Sequence, residues 1–270
     1  YRNTIAVALT GLDVAAKAEA AAAAFWAACP YGPDEFAAVS SRVIRTDHDD
    51  PTSNEAATAQ WRLTVKDPDE RKVGRAFSNA FVETALASIP GFYGLTGGPS
   101  AAAPFGVYRP ATVAADLVPA HVHVDGATYE VVSVAPGTSG GAPTPPVPAP
   151  LLDGPPPEGP TVRVPIGTLV GARSGDKGGN ANLGVFTRSA EAFAWLEAWL
   201  TVERLHELLP ETRPLRVERH VLPNLWSLNF VVHRLLDEGV AASTRIDGQA
   251  KSLGEWLRAR VVDVPVSLLA

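Results

Sequence analysis

From residue 135 to residue 160 the chain is dominated by Pro, Gly, Ser, Thr and Ala. A stretch with so little large apolar surface cannot offset the entropy of ordering it, so it reads as an extended, semi-rigid spacer. Whatever packs must therefore pack on either side. The organisation predicted is an N-terminal α+β domain over 1–135, a Pro/Gly-rich linker over 136–160 and a C-terminal domain over 161–270. With 270 residues, 46% of them hydrophobic, each flank is long enough to hold a core of its own.

The N-terminal flank carries strand and helix signals in the order β-α-β-β-α-β. Residues 4–10 are a continuous apolar run, and Asp13 stands as the cap of an alanine-rich helix reaching Cys29. Strands are predicted over 36–45 and 60–66, the second with Trp61, Leu63 and Val65 on one face. Asp67-Pro68-Asp69-Glu70 combines a cap, a proline at the first helical position and an acid three residues on, opening a helix that ends near Ser88, before Pro90. Further strands are predicted near Val107, over 120–124 and over 129–134. The C-terminal flank repeats the alternation: strands over 161–170 and 182–187, a helix capped by Ser189 and running to Leu209, strands over 215–222 and 226–233, and a helix opened by Ser252-Leu253-Gly254-Glu255. The fold class is α+β, two ferredoxin-like (split βαβ) α/β sandwiches joined by a Pro/Gly-rich linker.

Between the predicted strands 162–170 and 183–186 lies a run that packing does not explain: Ala172-Arg173-Ser174-Gly175-Asp176-Lys177-Gly178-Gly179-Asn180-Ala181-Asn182-Leu183-Gly184. A plain hairpin needs two to five turn residues, so a longer tip is predicted. Glycines permit positive φ and close approach of backbone to a ligand, and their N–H groups can form an anion-binding nest with Arg173 and Lys177 supplying charge. The chemistry is a carboxylate or phosphate grip. A solvated turn is written with the same residues, and the run matches neither a Walker A loop nor a dinucleotide fingerprint.

Other classes are excluded. The single Cys29 permits no internal disulfide, and no Cys/His spacing gives a zinc framework, which fits a reducing, cytoplasmic setting. A net charge of −6 without a basic stripe argues against nucleic acid. Residues 14–29 are too short and too charged, with Lys17 and Glu19, to span a membrane. No secretory signal opens the chain. The sequence contains no Met, so it is read as beginning inside a longer product or after processing.

Asp47-His48-Asp49-Asp50 and His121-x-His123 could together make a metal site, but an acidic run before Pro51 reads better as a solvated loop. No metal and no cofactor is assigned. Gly94-Leu95-Thr96-Gly97-Gly98-Pro99-Ser100 reads as a ligand-approaching turn or a surface connection. Ser174 lacks a nucleophile-elbow setting, and the one Gly-x-Ser-x-Gly match, Gly137 to Gly141, opens the spacer and not a helix. His220 and Asn224 flank a strand end. Asn229 alternates with Leu228 and Phe230, which places it on the solvent face or beside a polar site.

The run from Ala172 to Val185 resembles the signature of the C-terminal domain of the acyclic terpene utilisation family, the AtuA type. Tyr1-Arg2-Asn3 and Leu9-Thr10-Gly11-Leu12-Asp13 resemble a segment that lies well inside family members, after a larger N-terminal domain. Where the family usually has a second Asp this chain has Asn180, which lessens the case for a divalent ion. The resemblance implies bacterial degradation of branched terpenoid alcohols and acids through coenzyme A thioesters, and a ferredoxin-like C-terminal part. It also makes the run the best site, with Asp176 and Lys177 as catalytic candidates and Arg173, Ser174, Gly175, Gly178, Gly179, Asn180 and Asn182 as ligand-binding candidates.

Two readings follow. In the first, the chain is part of an enzyme acting on a branched acyl-coenzyme A or its free acid, Arg173 and Lys177 holding the anionic end and Asp176 positioning Lys177 or a proton. In the second it is a non-catalytic assembly module, supported by Trp195 and Trp199 at i and i+4 on one helix. The partners expected are a small acyl-coenzyme A or carboxylate ligand and either further copies of the chain or the family's larger N-terminal domain.

Overall fold

The computed structural model describes residues 1–85, 87–95, 100–114, 117–131 and 159–269. They form two compact units, 1–106 and 107–270. Of the expected linker over 136–160 only residues 159–160 lie within the described residues.

The first unit is built in the order β1 (Arg2–Thr10), α1 (Val14–Ala28), β2 (Ala38–Ile44), β3 (Thr58–Lys66), α2 (Phe77–Thr84), β4 (Phe92–Gly94). Its sheet has the order β2-β3-β1-β4 with every neighbouring pair antiparallel. β1 is paired with β3 and not with β2, which is the split βαβ connection. Alternation in β1 and β3 sends Ile5, Val7 and Leu9 and Trp61, Leu63 and Val65 to one face, where they bury against Val14, Ala18, Ala21 and Phe25 of α1 and Phe77, Ala80 and Phe81 of α2. The α1 residues recur every three to four positions, the stripe of a helix with one buried face. Two expectations fail in detail. Asp13 has φ +59 and makes no side-chain cap, because a left-handed backbone there closes the turn after Gly11. The helix expected from Pro68 to Ser88 is broken by a π-helical turn at Lys72–Ala76, where Gly74 leaves helical geometry, and it ends at Thr84. Asp67 is used differently, accepting from the backbone N–H of Asp69 at 2.8 Å and of Ala37 at 3.1 Å.

The second unit contains the hairpin β5 (Ala120–Val124) and β6 (Ala127–Val131), then β7 (Thr161–Pro165), β8 (Gly171–Lys177), β9 (Asn180–Phe186), α3 (Ala190–Trp199), α4 (Val202–Leu208), β10 (Val217–Leu222), β11 (Ser227–Val232), α5 (Leu253–Arg258) and β12 (Val261–Pro265). The main sheet is antiparallel in the order β10-β11-β9-β8. The edge place beside β9 is filled by the strand that precedes it. In the first unit the equivalent place beside β1 is filled by the last strand, β4. Here the strand after the last helix, β12, leaves the main sheet and pairs with β7. The predicted strand over 161–170 is thus two things, β7 in that small sheet and a 3-10 turn, Ile166–Thr168.

Leu183 and Val185 of β9 and Leu228, Phe230 and Val232 of β11 face α3, α4 and α5, burying against Phe193, Leu196, Leu205, Leu208, Leu253 and Leu257. The one helix expected over 189–209 is two. Ser189 caps the first by accepting from the Ala192 N–H at 3.2 Å, and Thr201 caps the second by accepting from the Arg204 N–H at 3.2 Å. Trp195 is buried in this core and stacks on Trp199 with ring centroids 4.9 Å apart, so this pair is packing and not an exposed contact surface. Ser252 does not cap α5 through its side chain, because Asp247 takes it, accepting from both its N–H and its hydroxyl.

Candidate functional site

The glycine-rich run is a hairpin of two regular strands and not a long tip. β8 and β9 are in register from Gly171↔Phe186 to Lys177↔Asn180, and only Gly178 and Gly179 are left to turn. Gly178 has φ +64 and Gly179 has no positive φ, the pattern of a type II′ turn. The turn is clamped. A β-carbon on Gly179 would lie 2.2 Å from the carbonyl oxygen of Asp237, and one on Gly178 would lie 2.6 Å from the ring of Tyr108. The Gly179 carbonyl accepts from the Leu236 N–H at 3.0 Å, and Asn180 Oδ1 accepts from the Arg234 N–H at 3.0 Å. Gly179 and Asn180 therefore join the hairpin to segment 234–239, and Gly178 packs against Tyr108.

Because β8 is a strand, consecutive side chains point to opposite faces. Register places Ala172, Ser174 and Asp176 on the helix side with Val185, Leu183 and Ala181, and Arg173, Gly175 and Lys177 on the other side with Gly184, Asn182 and Asn180. The role expected for Asp176, positioning Lys177, is corrected by this parity. Its ion-pair partner is Lys251, with Nζ 3.8 Å from Oδ1. Ser174 is likewise structural, its hydroxyl accepting from the Gly254 N–H at 2.9 Å at the start of α5.

The face of the sheet turned away from the helices carries a set of polar and charged side chains. One row across it reads Arg173, Gly184, Asn229, His220, and the next reads Gly175, Asn182, Val231, Glu218. Arg173 and Lys177 are exposed, and among the described residues neither makes an ion pair. A β-carbon on Gly184 would meet nothing closer than the Arg173 carbonyl oxygen at 3.7 Å, so Gly184 is a bare floor beside the guanidinium strand. Asn182 and Asn229 bond reciprocally, Nδ2 to Oδ1, at 2.7 and 3.1 Å. This polar pair on the non-core face is one of the two arrangements that alternation around Asn229 allows.

At the far side of the same face Glu218 gathers two imidazoles. Nε2 of His233 lies 3.1 Å from Oε1 and Nε2 of His220 lies 3.6 Å from Oε2, while the Arg216 guanidinium donates to Oε1 at 2.6 Å. Nε2 of His233 is buried and, despite that distance, is off the axis of a hydrogen bond. Burial acts to raise the Glu218 carboxyl, but the His233 contact and the charges of Arg216, His233 and His220 outweigh it, and the group titrates below its ordinary value. Residue types alone did not single out Glu218, His233 or Gly184. The signal was the parity of 217–222 and 227–233, which puts every second residue on the face opposite the core. Beside the hairpin a cleft of about 420 Å³ is lined by Val170, Gly171, Ala172, Phe186, Arg188 and Arg258.

The remaining candidates are placed elsewhere. Asp47 is bound by Arg45 at 2.6 Å, and His123 Nδ1 lies 2.8 Å from the Thr128 hydroxyl. Among the described residues no group of three His, Cys, Asp or Glu could hold a metal ion. No helix among them is long and apolar enough to cross a membrane. Ser100 is a tie, its carbonyl accepting from Asn3 Nδ2 at 3.0 Å and from the Ser78 hydroxyl at 2.6 Å. Residues 96–99 and 137–141 lie outside the described residues, and Asn224 sits in an exposed 3-10 turn, Pro223–Leu225.

Two family models match this chain. That of the acyclic terpene utilisation family protein AtuA matches residues 1–124, and that of the AtuA ferredoxin-like domain matches residues 164–263. The chain belongs to the AtuA family. The clamped hairpin and the whole polar face lie within the span of the AtuA ferredoxin-like domain. Searches of curated proteins and of solved structures found no match. Family membership suggests a role in acyclic terpene utilisation.

Proposed function

We propose that this AtuA-family chain binds the anionic end of a branched acyl-coenzyme A, or the corresponding free carboxylate, on the polar face of the β8-β9-β11-β10 sheet. The observation that carries the reading is the placement of Arg173 and Lys177 on one face of β8, both exposed, beside the bare backbone at Gly184. Two cations four residues apart on one face of a strand are about 13 Å apart, with Gly175 between them on that face, a span that suits two separate anionic groups of an extended ligand such as a coenzyme A thioester. Glycine lets the ligand lie against the sheet itself. Asp176 and Ser174 face the helices and have no part in the grip. The strand order of the first unit, and the fourth strand supplied from the N-terminal side in the second, support two ferredoxin-like sandwiches as the scaffold.

The test is calorimetry with isovaleryl-coenzyme A on the full chain and on the Arg173→Ala, Lys177→Ala double variant. Each charge-assisted hydrogen bond is worth about 1.5–3 kcal/mol when desolvated, and solvent screening at these exposed positions lowers that. A loss of about tenfold or more in affinity is expected, and equal affinity removes the reading.

One observation favours assembly as a second reading. All ten strand residues of the β5-β6 hairpin are exposed, and its register puts Val122 opposite Tyr129 and Ala120 opposite Val131 on one apolar face. Two strands alone are marginally stable in water, so a further copy of the chain covering this face would complete it. Sedimentation across micromolar concentrations checks this, with a monomer throughout as the contrary result.

A further inference from the structure

We infer that His220, set by Glu218, is the proton-transfer group of this face, and that Asn229, fixed by Asn182, holds the carbonyl oxygen of the acyl group whose proton it moves. The inference rests on the reading that an acyl-coenzyme A binds here. Four observations on one sheet face converge on it.

The first is reach. Register places Arg173, Gly184, Asn229 and His220 in one row across β8, β9, β11 and β10, three strand spacings, about 14 Å, from end to end. A ligand whose anionic part is held at Arg173 and Lys177 lies over Gly184 and brings its acyl group to Asn229 and His220. The second is the amide pair. Each carboxamide has two N–H donors, and the reciprocal bonds at 2.7 and 3.1 Å use one from each. The pair fixes both groups in place and leaves one donor on each, the two on opposite sides of the ring they form, so that the free donor of Asn229, the neighbour of His220 in the row, serves an oxygen that gains negative charge, the requirement of an oxyanion site.

The third is the imidazole. Nε2 of His220 lies 3.6 Å from Glu218 Oε2, within ion-pair range and longer than a hydrogen bond, so the carboxylate stands on the Nε2 side and Nδ1 is left to take a proton. The fourth is the anchoring of Glu218, whose Oε1 accepts from Arg216 at 2.6 Å and lies 3.1 Å from His233 Nε2. An imidazole oriented by a carboxylate is the usual general base at neutral pH. Glu218 does not reach the ligand row and is a positioning residue.

The step is proton exchange next to the thioester carbonyl. The C–H bond on the α-carbon breaks, an N–H bond forms at Nδ1 of His220, and the electron pair passes into the enolate, whose oxygen is held by the free donor of Asn229. Reversal returns to the carbon a proton that has exchanged with water, so the cycle needs no oxidant, reductant or second substrate.

The experiment incubates the full chain with isovaleryl-coenzyme A in deuterium oxide and reads α-deuteration by mass spectrometry, with affinity measured in parallel by calorimetry. Wild type should deuterate the α-carbon faster than buffer. His220→Gln should lower the exchange rate at saturating ligand by about 100-fold with a far smaller change in affinity, and Glu218→Gln should lower it less. Binding without exchange above buffer in wild type, or undiminished exchange in His220→Gln, overturns the inference while the anion-binding reading stands. Absence of binding overturns both.

Discussion

Gly179→Ala should destabilise the C-terminal unit far more than its small change in volume suggests. The added carbon would lie 2.2 Å from the Asp237 carbonyl oxygen and 3.4 Å from the carbon that bears it. That is about 1 Å inside even a close C–H···O contact, and the obstacle is backbone, which cannot swing aside as a side-chain end can. The turn or segment 234–239 must shift, which endangers the Leu236 to Gly179 hydrogen bond at 3.0 Å and the Arg234 to Asn180 bond at 3.0 Å. Overpacking of this kind costs about 1–3 kcal/mol, and one weakened hydrogen bond adds about 1 kcal/mol, for about 2–4 kcal/mol together. A unit of this size melts about 2–4 °C lower per kcal/mol, so a drop of roughly 5–15 °C is expected by circular dichroism. Gly184→Ala is the control, since it is the same chemical change where the nearest atom is 3.7 Å away. If the two variants melted together, the clamp on the turn would be refuted.

The remaining predictions concern ligand, charge and acid. Gly184→Ala should leave the melting temperature unchanged or raise it, by about 0.4–1 kcal/mol through the unfolded chain, yet weaken isovaleryl-coenzyme A by calorimetry because the floor of the face is filled. Asp176→Asn should change stability by less than about 0.5 kcal/mol, since its pair with Lys251 is a surface contact, and a thermal melt checks it. Asp247 is pushed upward by burial, but its bonds from Ser252 and Lys251 and the charge of Arg245 outweigh that and hold it below the usual carboxylate value. Its contribution to stability is present above the unfolded-state value and lost as pH falls through the lower folded one, so Asp247→Asn should flatten the acid limb of a urea-midpoint against pH plot.

The core was legible in the sequence where side chains alternate between apolar and polar. Trp61, Leu63 and Val65, and Leu228 and Phe230, all fall on the faces that alternation assigns. β8 was hidden because its helix-side places hold Ala172, Ser174 and Asp176, two of them polar and satisfied by partners distant in sequence, Gly254 and Lys251. Period two was there without a hydrophobic mark. The reading of the run as a loop followed from that, and the pairing of Asp176 with Lys177 followed in turn. Trp226 was expected in strand but sits at φ +46 outside β11, ending the 3-10 turn that joins the two strands. The polar face itself was half legible. Asn229 announced a polar neighbourhood through parity, whereas the approach of His233 and His220 to Glu218 depends on register between β10 and β11, which no local pattern states.

The central claim is that the ligand lies on the sheet face opposite the helices. Backbone amide shifts of the full isotope-labelled chain, titrated with isovaleryl-coenzyme A, test it directly. The account predicts that the largest changes fall at Arg173, Gly175, Lys177, Asn182, Gly184 and Asn229, with α3 and α4 unmoved. Changes centred on Ser174, Asp176 and α5, or confined to the first unit, would contradict it.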